Sequence, residues 1–261
     1  MKKRIILGLL FDGTHFYLSR NFRLQKLGDL NWLQGNFQIF DLTSYVDEIA
    51  IFHIQRRMSS ADFGVALREL TRRIFVPVSV GGGLRDMREV DGMFRSGADR
   101  IMFSNSIWGQ PELIRATSEK YGAQATVGVI NFMADESGLT AVRRVRDGSV
   151  EMADIDKAVS CAQNLGLGEV VLQSVDKDGT GQGFPLLESR KVWGSSNIPV
   201  IAAGGFGSTA HIAECLADDH VEAVLTANLL AFLGDGLARA RAQAVGIGTD
   251  MARWNSLKTF S

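Results

Sequence analysis

Pro77-Val78-Ser79-Val80-Gly81-Gly82-Gly83 and Pro199-Val200-Ile201-Ala202-Ala203-Gly204-Gly205 are the two stretches that decide how this chain folds. Each is a short run of small and β-branched residues closed by glycines. That is the pattern of a buried strand turning directly into a helix. The two stretches start 122 residues apart, close to half of the 261-residue chain. A second pair repeats the interval, because Glu48-Ile49-Ala50-Ile51 and Glu169-Val170-Val171-Leu172 start 121 residues apart. An interval near half the length predicts two matching halves of one architecture rather than a short-period solenoid.

Working outward, short apolar runs alternate with longer amphipathic stretches, the rhythm of repeated βα units. Strands are predicted at Arg4–Leu10, Glu48–His53, Val76–Val80, Arg100–Phe103, Ala125–Ile130, Glu169–Ser174, Val200–Ala203 and Ala223–Ala227. Helical spacing of apolar residues marks Ala61–Arg73, Met87–Ser96, Pro111–Tyr121 and Ile155–Leu165, with Pro111 suited to a first helical turn. Leu139–Met152 reads as a hairpin around Asp147-Gly148 within a long loop after the fifth strand. The expected fold is therefore α/β: a (β/α)8 TIM barrel with a half-barrel repeat, one domain over 1–261, with the tail 246–261 unassigned.

Length supports one such barrel with a substantial core. Lys and Arg total 28 against 29 Asp and Glu, a net charge of -1. That balance gives no reason to expect nucleic acid or a membrane surface as partner. Cys161 and Cys215 are too few for a disulfide framework and read as reduced thiols of a cytoplasmic protein. The basic start Lys2-Lys3-Arg4 followed by Ile5–Phe11 imitates a signal peptide, but the apolar run is short and ends at Asp12-Gly13, so it reads as a buried first strand. His15, His53, His211 and His220 have no metal-ligand spacing, and neither a metal nor a cofactor is expected.

Gly81-Gly82-Gly83 and Gly204-Gly205 each stand between a strand and a helical segment. Glycines there let backbone N–H groups approach a phosphate, and the following helix adds a favourable dipole. Ordinary βα turns are the bland alternative, and the duplication argues against it. Asp178-Gly179-Thr180-Gly181-Gln182-Gly183 is a further glycine-rich loop, either an active-site loop or a long surface turn.

Taken together, Lys3–Ile6, Asp47-Glu48, Pro77–Arg85, Gly97–Arg100, Asp176–Thr180 and Pro199–Gly207 resemble the cyclase (HisF-type) subunit of imidazole glycerol phosphate synthase over roughly residues 3–232. In that family, ammonia from a HisH-like glutaminase subunit enters the barrel bottom and meets a ribosyl ribonucleotide at the top. The resemblance implies a ligand with a phosphate at each end, contacted by Gly82, Gly83, Gly204 and Gly205 and, on the strand-six loop, by Gly179 and Thr180. Asn105 and Asn228 would complete the two phosphate sites, although the family's usual residues differ at both positions.

The family's acid–base pair is missing. Its two aspartate positions fall on Leu10 and Asn131, its first-loop lysine on Tyr17 and its acid after strand two on His53. Leucine transfers no proton, and an amide does not titrate near neutral pH. Asp12, two residues beyond Leu10, is either a relocated acid or the turn that closes strand one. Asp176 is a second titrating group or an organiser of its own loop. His53 is a base with near-neutral pKa or a structural hydrogen-bonder.

By contrast, Arg4, Glu48, Arg100 and Glu169 stand at the starts of strands one, two, four and six, where the resemblance implies an alternating ring of charge around the ammonia-admitting mouth. Charged strand ends that merely solvate the barrel base are the alternative. Asp99 and Gln124 match positions near the family's glutaminase-docking face. The pattern resembles the HisF-like paralogues associated with amidation of sugars in bacterial surface polysaccharides, which implies a separate amidotransferase as ammonia acceptor. Three readings follow: a non-cyclising ammonia conduit, an active cyclase using relocated groups such as Asp12 and Asp176, or a phosphosugar-binding barrel without a glutaminase.

Overall fold

A computed structural model describes residues 2–37, 45–54, 59–135, 138–144, 150–193, 197–228 and 235–252. The barrel strands are β1 (Arg4–Phe11), β4 (Glu48–His53), β5 (Val78–Gly81), β6 (Arg100–Phe103), β7 (Thr126–Asp135), β10 (Glu169–Ser174), β11 (Val200–Ala203) and β12 (Val221–Thr226). Neighbours pair in parallel in the order β10-β11-β12-β1-β4-β5-β6-β7, and β10 pairs β7 to close the cylinder. The eight-stranded parallel barrel expected from the sequence is what forms. The strand bounds shift slightly: the third strand is Val78–Gly81 rather than Val76–Val80, and the eighth is Val221–Thr226 rather than Ala223–Ala227.

Both faces of each barrel strand are covered, which is why the strands read as unbroken apolar runs. On β1, Ile5, Leu7 and Leu9 join the layer between sheet and helices, while Ile6 points into the barrel. The helices of that outer layer are α2 (Ser60–Thr71), α3 (Met87–Arg95), α5 (Pro111–Tyr121), α6 (Ile155–Asn164), α7 (Leu186–Trp193), α8 (Thr209–Leu216) and α9 (Gly236–Gly246), with a short α4 (Ser106–Gly109) before α5. Ser59, Asp86, Asp154 and Ser208 cap α2, α3, α6 and α8 by accepting backbone N–H groups, and Pro111 opens α5.

Two excursions decorate the cylinder at the strand C-terminal end. β1 turns at Asp12-Gly13 into an antiparallel hairpin, β2 (His15–Arg20) and β3 (Arg23–Asp29), followed by α1 (Leu30–Phe37). The sequence reading stopped at the turn and missed this hairpin, because its second strand is largely exposed and lacks an apolar face. β7 continues past Ile130 to Asp135 and pairs with β8 (Gly138–Arg144), which pairs with β9 (Val150–Asp154). The hairpin expected at Leu139–Met152 is therefore present, while Asp147-Gly148 lies outside the described residues. Of the unassigned tail, Gly246 ends α9 and Met251 bridges to Lys3, whereas 253–261 lie outside the described residues. Among the described residues no helix is long and apolar enough to cross a membrane.

Candidate functional site

At the end where the strands begin, the first residues of β1, β4, β6 and β10 converge. Arg4 Nη1 lies 3.2 Å from Glu48 Oε2, and Arg4 Nη2 lies 2.6 Å from Glu169 Oε1. Arg100 repeats the arrangement, 3.2 Å from Glu48 Oε2 and 2.6 Å from Glu169 Oε2. Each carboxylate bridges two guanidinium groups and each guanidinium bridges two carboxylates, so the ring is closed and neutral. Ser79 donates its hydroxyl to Glu48 Oε1, and Arg100 Nε donates to the Gln124 carbonyl at 3.0 Å. Burial of these side chains would be costly for unpaired charges, and the mutual pairing offsets it. Gln124 and Asp99 sit exposed on this end, and Asp99 also accepts the Val78 N–H.

Above the ring the barrel interior is apolar: Ile6, Ala50, Met102, Val127, Val171, Ile201, Ala203, Ala223 and Leu225, with Phe52 and Val129. Three of these are alanines, and none carries charge.

At the opposite end a cavity of about 2340 Å³ opens, lined by Gly82, Gly83, Asn105, Gly179, Gly204, Gly205 and Asn228 among others. The two glycine loops are built alike. A Cβ on Gly82 would lie 2.3 Å from the His53 carbonyl at the end of the second barrel strand. On Gly204 it would lie 2.6 Å from the Ser174 carbonyl at the end of the sixth. Both glycines have positive φ, so the loop pressed against the preceding strand tolerates no side chain. This is the half-barrel repeat expressed in contacts. Asn228 Nδ2 donates to the Phe206 carbonyl at 3.4 Å, which orients it beside the second loop.

The strand-six loop, whose Gly179 lines the cavity, also holds the hairpin that follows strand one. Asp178 holds the β2–β3 hairpin: its Oδ2 accepts from Ser19 Oγ at 2.5 Å and from Phe22 N at 2.9 Å, and its carbonyl accepts from Asn21 N at 2.9 Å. Gly179, with φ of 66°, packs against the hairpin backbone, where a Cβ would lie 2.2 Å from the Ser19 carbonyl. Thr180 donates to the Lys177 carbonyl at 2.8 Å and does not line the cavity. The geometry thus gives Gly179 a part in seating the hairpin over the mouth, while Thr180 braces its own loop.

The two family aspartate positions, Leu10 and Asn131, both line the cavity. Of the candidate substitutes, only His53 joins them there. Asp12 closes the turn after strand one, accepting from Thr14 N at 2.8 Å, His15 N at 2.6 Å and Tyr17 Oη at 2.8 Å. Burial alone would raise its pKa, but those three donors, with the His15 charge, hold the carboxyl below its ordinary range. Such a group is an ionised anchor rather than an acid at neutral pH, and it lies outside the cavity lining. Asp176 is likewise outside the lining and accepts from Ala134 N at 2.7 Å, tying the β7 extension to the strand-six loop. His53 does line the cavity, with its ring stacked on Phe63 at 4.0 Å between centroids. Burial pushes its pKa down, partly offset by Asp12 and Glu89, so the imidazole is neutral. Its Nε2 is buried with no partner among the described residues. The carboxylates that do line the cavity are Glu89, in the first turn of α3, and Asp178, on the strand-six loop, and each accepts a backbone N–H. Among the described residues, no group of three or more His, Cys, Asp or Glu is arranged to hold a metal ion.

The family description "Histidine biosynthesis protein" matches residues 44–234. The chain belongs to this family. Over its whole length it is 36% identical to a protein of Parasynechococcus marenigrum (strain WH8102) that bears the provisional name imidazole glycerol phosphate synthase subunit hisF2, covering 97% of that protein. It is 32% identical to the imidazole glycerol phosphate synthase subunit HisF of Myxococcus xanthus (strain DK1622), over 87% of this chain and 84% of the relative. Identity to the HisF subunit of Thermobifida fusca (strain YX) is 31%, over 88% and 90%. As a histidine biosynthesis family barrel, it has the HisF-like architecture that the sequence resemblance implied.

One residue of this family barrel escaped the sequence reading. Gln173, the register partner of Asn131 on the neighbouring strand, also lines the cavity. The signal was available: with Val171 pointing into the barrel, Gln173 two residues on must do so too, a polar side chain at an inward position of an apolar strand.

Proposed function

We propose that this chain is a HisF-like subunit that pairs with a HisH-like glutaminase, conducts its ammonia through the barrel and does not itself cyclise a ribosyl ribonucleotide. One observation carries the reading: the charged ring is closed by four ion pairs at one end, while the inward-facing positions at the other end hold Leu10 and Asn131. General acid–base cyclisation needs titrating groups on both sides of the substrate. Asp12 and Asp176 are engaged in backbone hydrogen bonds away from the cavity lining, which disfavours the relocated-acid alternative. The uncharged interior suits ammonia rather than ammonium, because an unpaired cation there would be desolvated at heavy cost.

In this reading Asp99 and Gln124 belong to the docking face, Gly82, Gly83, Gly204, Gly205, Asn105 and Asn228 grip phosphate, and the ammonia leaves for a separate amidotransferase acting on a surface-polysaccharide sugar. Co-expression with the organism's HisH-like proteins tests it. The expected result is a stable complex in which glutamine hydrolysis is accelerated at least tenfold over the glutaminase alone. A chain that stays monomeric and leaves every such glutaminase unstimulated would refute the reading and favour a phosphosugar-binding barrel.

A further inference from the structure

Between the glycine loops, the cavity floor is formed by the inward-facing ends of the barrel strands: Leu10, Phe52, Met102, Val129, Asn131, Gln173 and Leu225. Five of the seven are apolar and none is charged. The two polar ones are adjacent, because Gln173 and Asn131 are register partners on the parallel pair β10 and β7. Register partners on neighbouring strands stand about 4.8 Å apart, and both side chains face the cavity. Both residues are half-buried, and neither amide has a hydrogen-bond partner among the described residues, which leaves their polar atoms open to the cavity. Gln173 also reaches toward the second glycine loop, with its Nε2 3.2 Å from where a Gly204 Cβ would stand.

We infer that Asn131 and Gln173 form a neutral amide clamp that selects a phosphorylated ligand whose middle carries hydroxyl groups, a sugar bisphosphate. A primary amide offers donors and an acceptor at once, and so does a hydroxyl. Two adjacent amides on an apolar floor therefore satisfy neighbouring hydroxyls with both roles filled. They offer no counter-charge to an ammonium or carboxylate. The charged groups of the cavity stand around its mouth, Arg20 and Arg23 on the β2–β3 hairpin, Glu89 in the first turn of α3, and Arg85 and Asp178 on loops, so a ligand reaching the floor meets charge only at its ends. Leaving the amides unpaired beneath a ligand that lacks hydroxyls would cost affinity, which makes the clamp selective as well as attractive. The inference rests on the glycine loops as phosphate grips and is independent of whether ammonia passes through the barrel.

Calorimetric titration of the full chain tests it with three probes: inorganic phosphate, ribulose 1,5-bisphosphate and pentane-1,5-diyl bisphosphate, which has the same span without hydroxyls. The sugar bisphosphate should bind at least tenfold more tightly than its hydroxyl-free counterpart. Gln173→Leu and Asn131→Leu should each erase most of that preference while shifting phosphate affinity by less than twofold. Equal binding of the two bisphosphates by the unmodified chain overturns the clamp, and this comparison needs no variant to fold. A preference that survives both substitutions also overturns it, as does a parallel loss of phosphate affinity. If inorganic phosphate itself fails to bind, the glycine-loop reading falls and the clamp falls with it, while the ammonia reading stands or falls on glutaminase stimulation.

Discussion

At the beginning of the strands, the Glu48 and Glu169 side chains are 4% and 10% exposed, and all four of their carboxylate oxygens accept hydrogen bonds from Arg4, Arg100 or Ser79. At the far end of the same strands, Asn131 and Gln173 face a cavity with no partner among the described residues. Both ends present polar side chains on a parallel barrel, yet at one end every carboxylate oxygen is paired internally, with Arg4 Nε left without a partner, and the other end is open. A saturated polar network rigidifies the structure and resists change, whereas open groups are available to a ligand. The difference supports the proposal that one end serves architecture and gating and the other serves recognition without acid–base chemistry.

The sharpest break in that contrast comes from the saturated end. Glu48→Ala leaves Arg4 and Arg100 without half of their partners in a largely buried ring, and it should cost about 3–5 kcal/mol of unfolding free energy in urea. A loss below about 1 kcal/mol, the scale of a surface ion pair, would show that the ring is solvated and not a closed gate. The next effect falls on the open end. Gly179→Ala drives a Cβ into the Ser19 carbonyl at a positive φ and should cost about 1–3 kcal/mol while loosening the hairpin. Protection of the Ser19 to Phe22 amides in hydrogen exchange reads the loosening directly. Gly83→Ala shares the positive φ but meets no atom within 4 Å, so only about 1 kcal/mol of strain is expected there.

A smaller effect is pH-dependent. Asp12 and Asp218 both have folded pKa values below the ordinary 3.8. For Asp218, burial would raise the value, but the His220 N–H and side chain and Arg190 outweigh it. A carboxylate whose pKa is lower in the folded state stabilises the fold above its unfolded pKa, and the contribution is lost as pH falls through the folded value. Unfolding free energy should therefore decline as pH falls below about 6.5, where the unfolded but not the folded His53 takes up a proton, and drop further below pH 4 as the aspartates protonate, with a shallower acid limb in Asp12→Asn. An unchanged acid limb in that variant would mean that the turn does not depend on the charge. The smallest expected effect is none: Asn131→Asp restores one carboxylate without a second group opposite, since Leu10 still carries no proton, and cyclisation should remain absent.

How much of this was legible in the sequence follows from the physics of each element. The barrel strands were readable because parallel strands buried on both faces leave unbroken apolar runs, and the repeat fixed their order through Pro77 and Pro199. The ring was readable through the family resemblance, which places alternating charges at the starts of those four strands, while the residues alone also allowed solvated strand ends. The β2–β3 hairpin was not, since Arg23–Asp29 is largely exposed and carries no apolar face to reveal its period. Nor was the role of Gly179, because a glycine needed for close backbone approach looks the same in sequence as one that cradles an anion. Gln173 lay hidden inside a correctly predicted strand, where the run Glu169–Ser174 drew attention to its ends.

The account depends most on the absence of a working acid–base pair in a HisF-like barrel. The direct measurement is to supply the purified chain with saturating ammonium at a pH near 8.5 and the ribosyl ribonucleotide, following loss of the ribonucleotide by absorbance. No conversion above the uncatalysed rate is predicted, even with ligand bound. Formation of imidazole glycerol phosphate and the aminoimidazole carboxamide ribotide in equal amounts would contradict it and return the chain to the working cyclases.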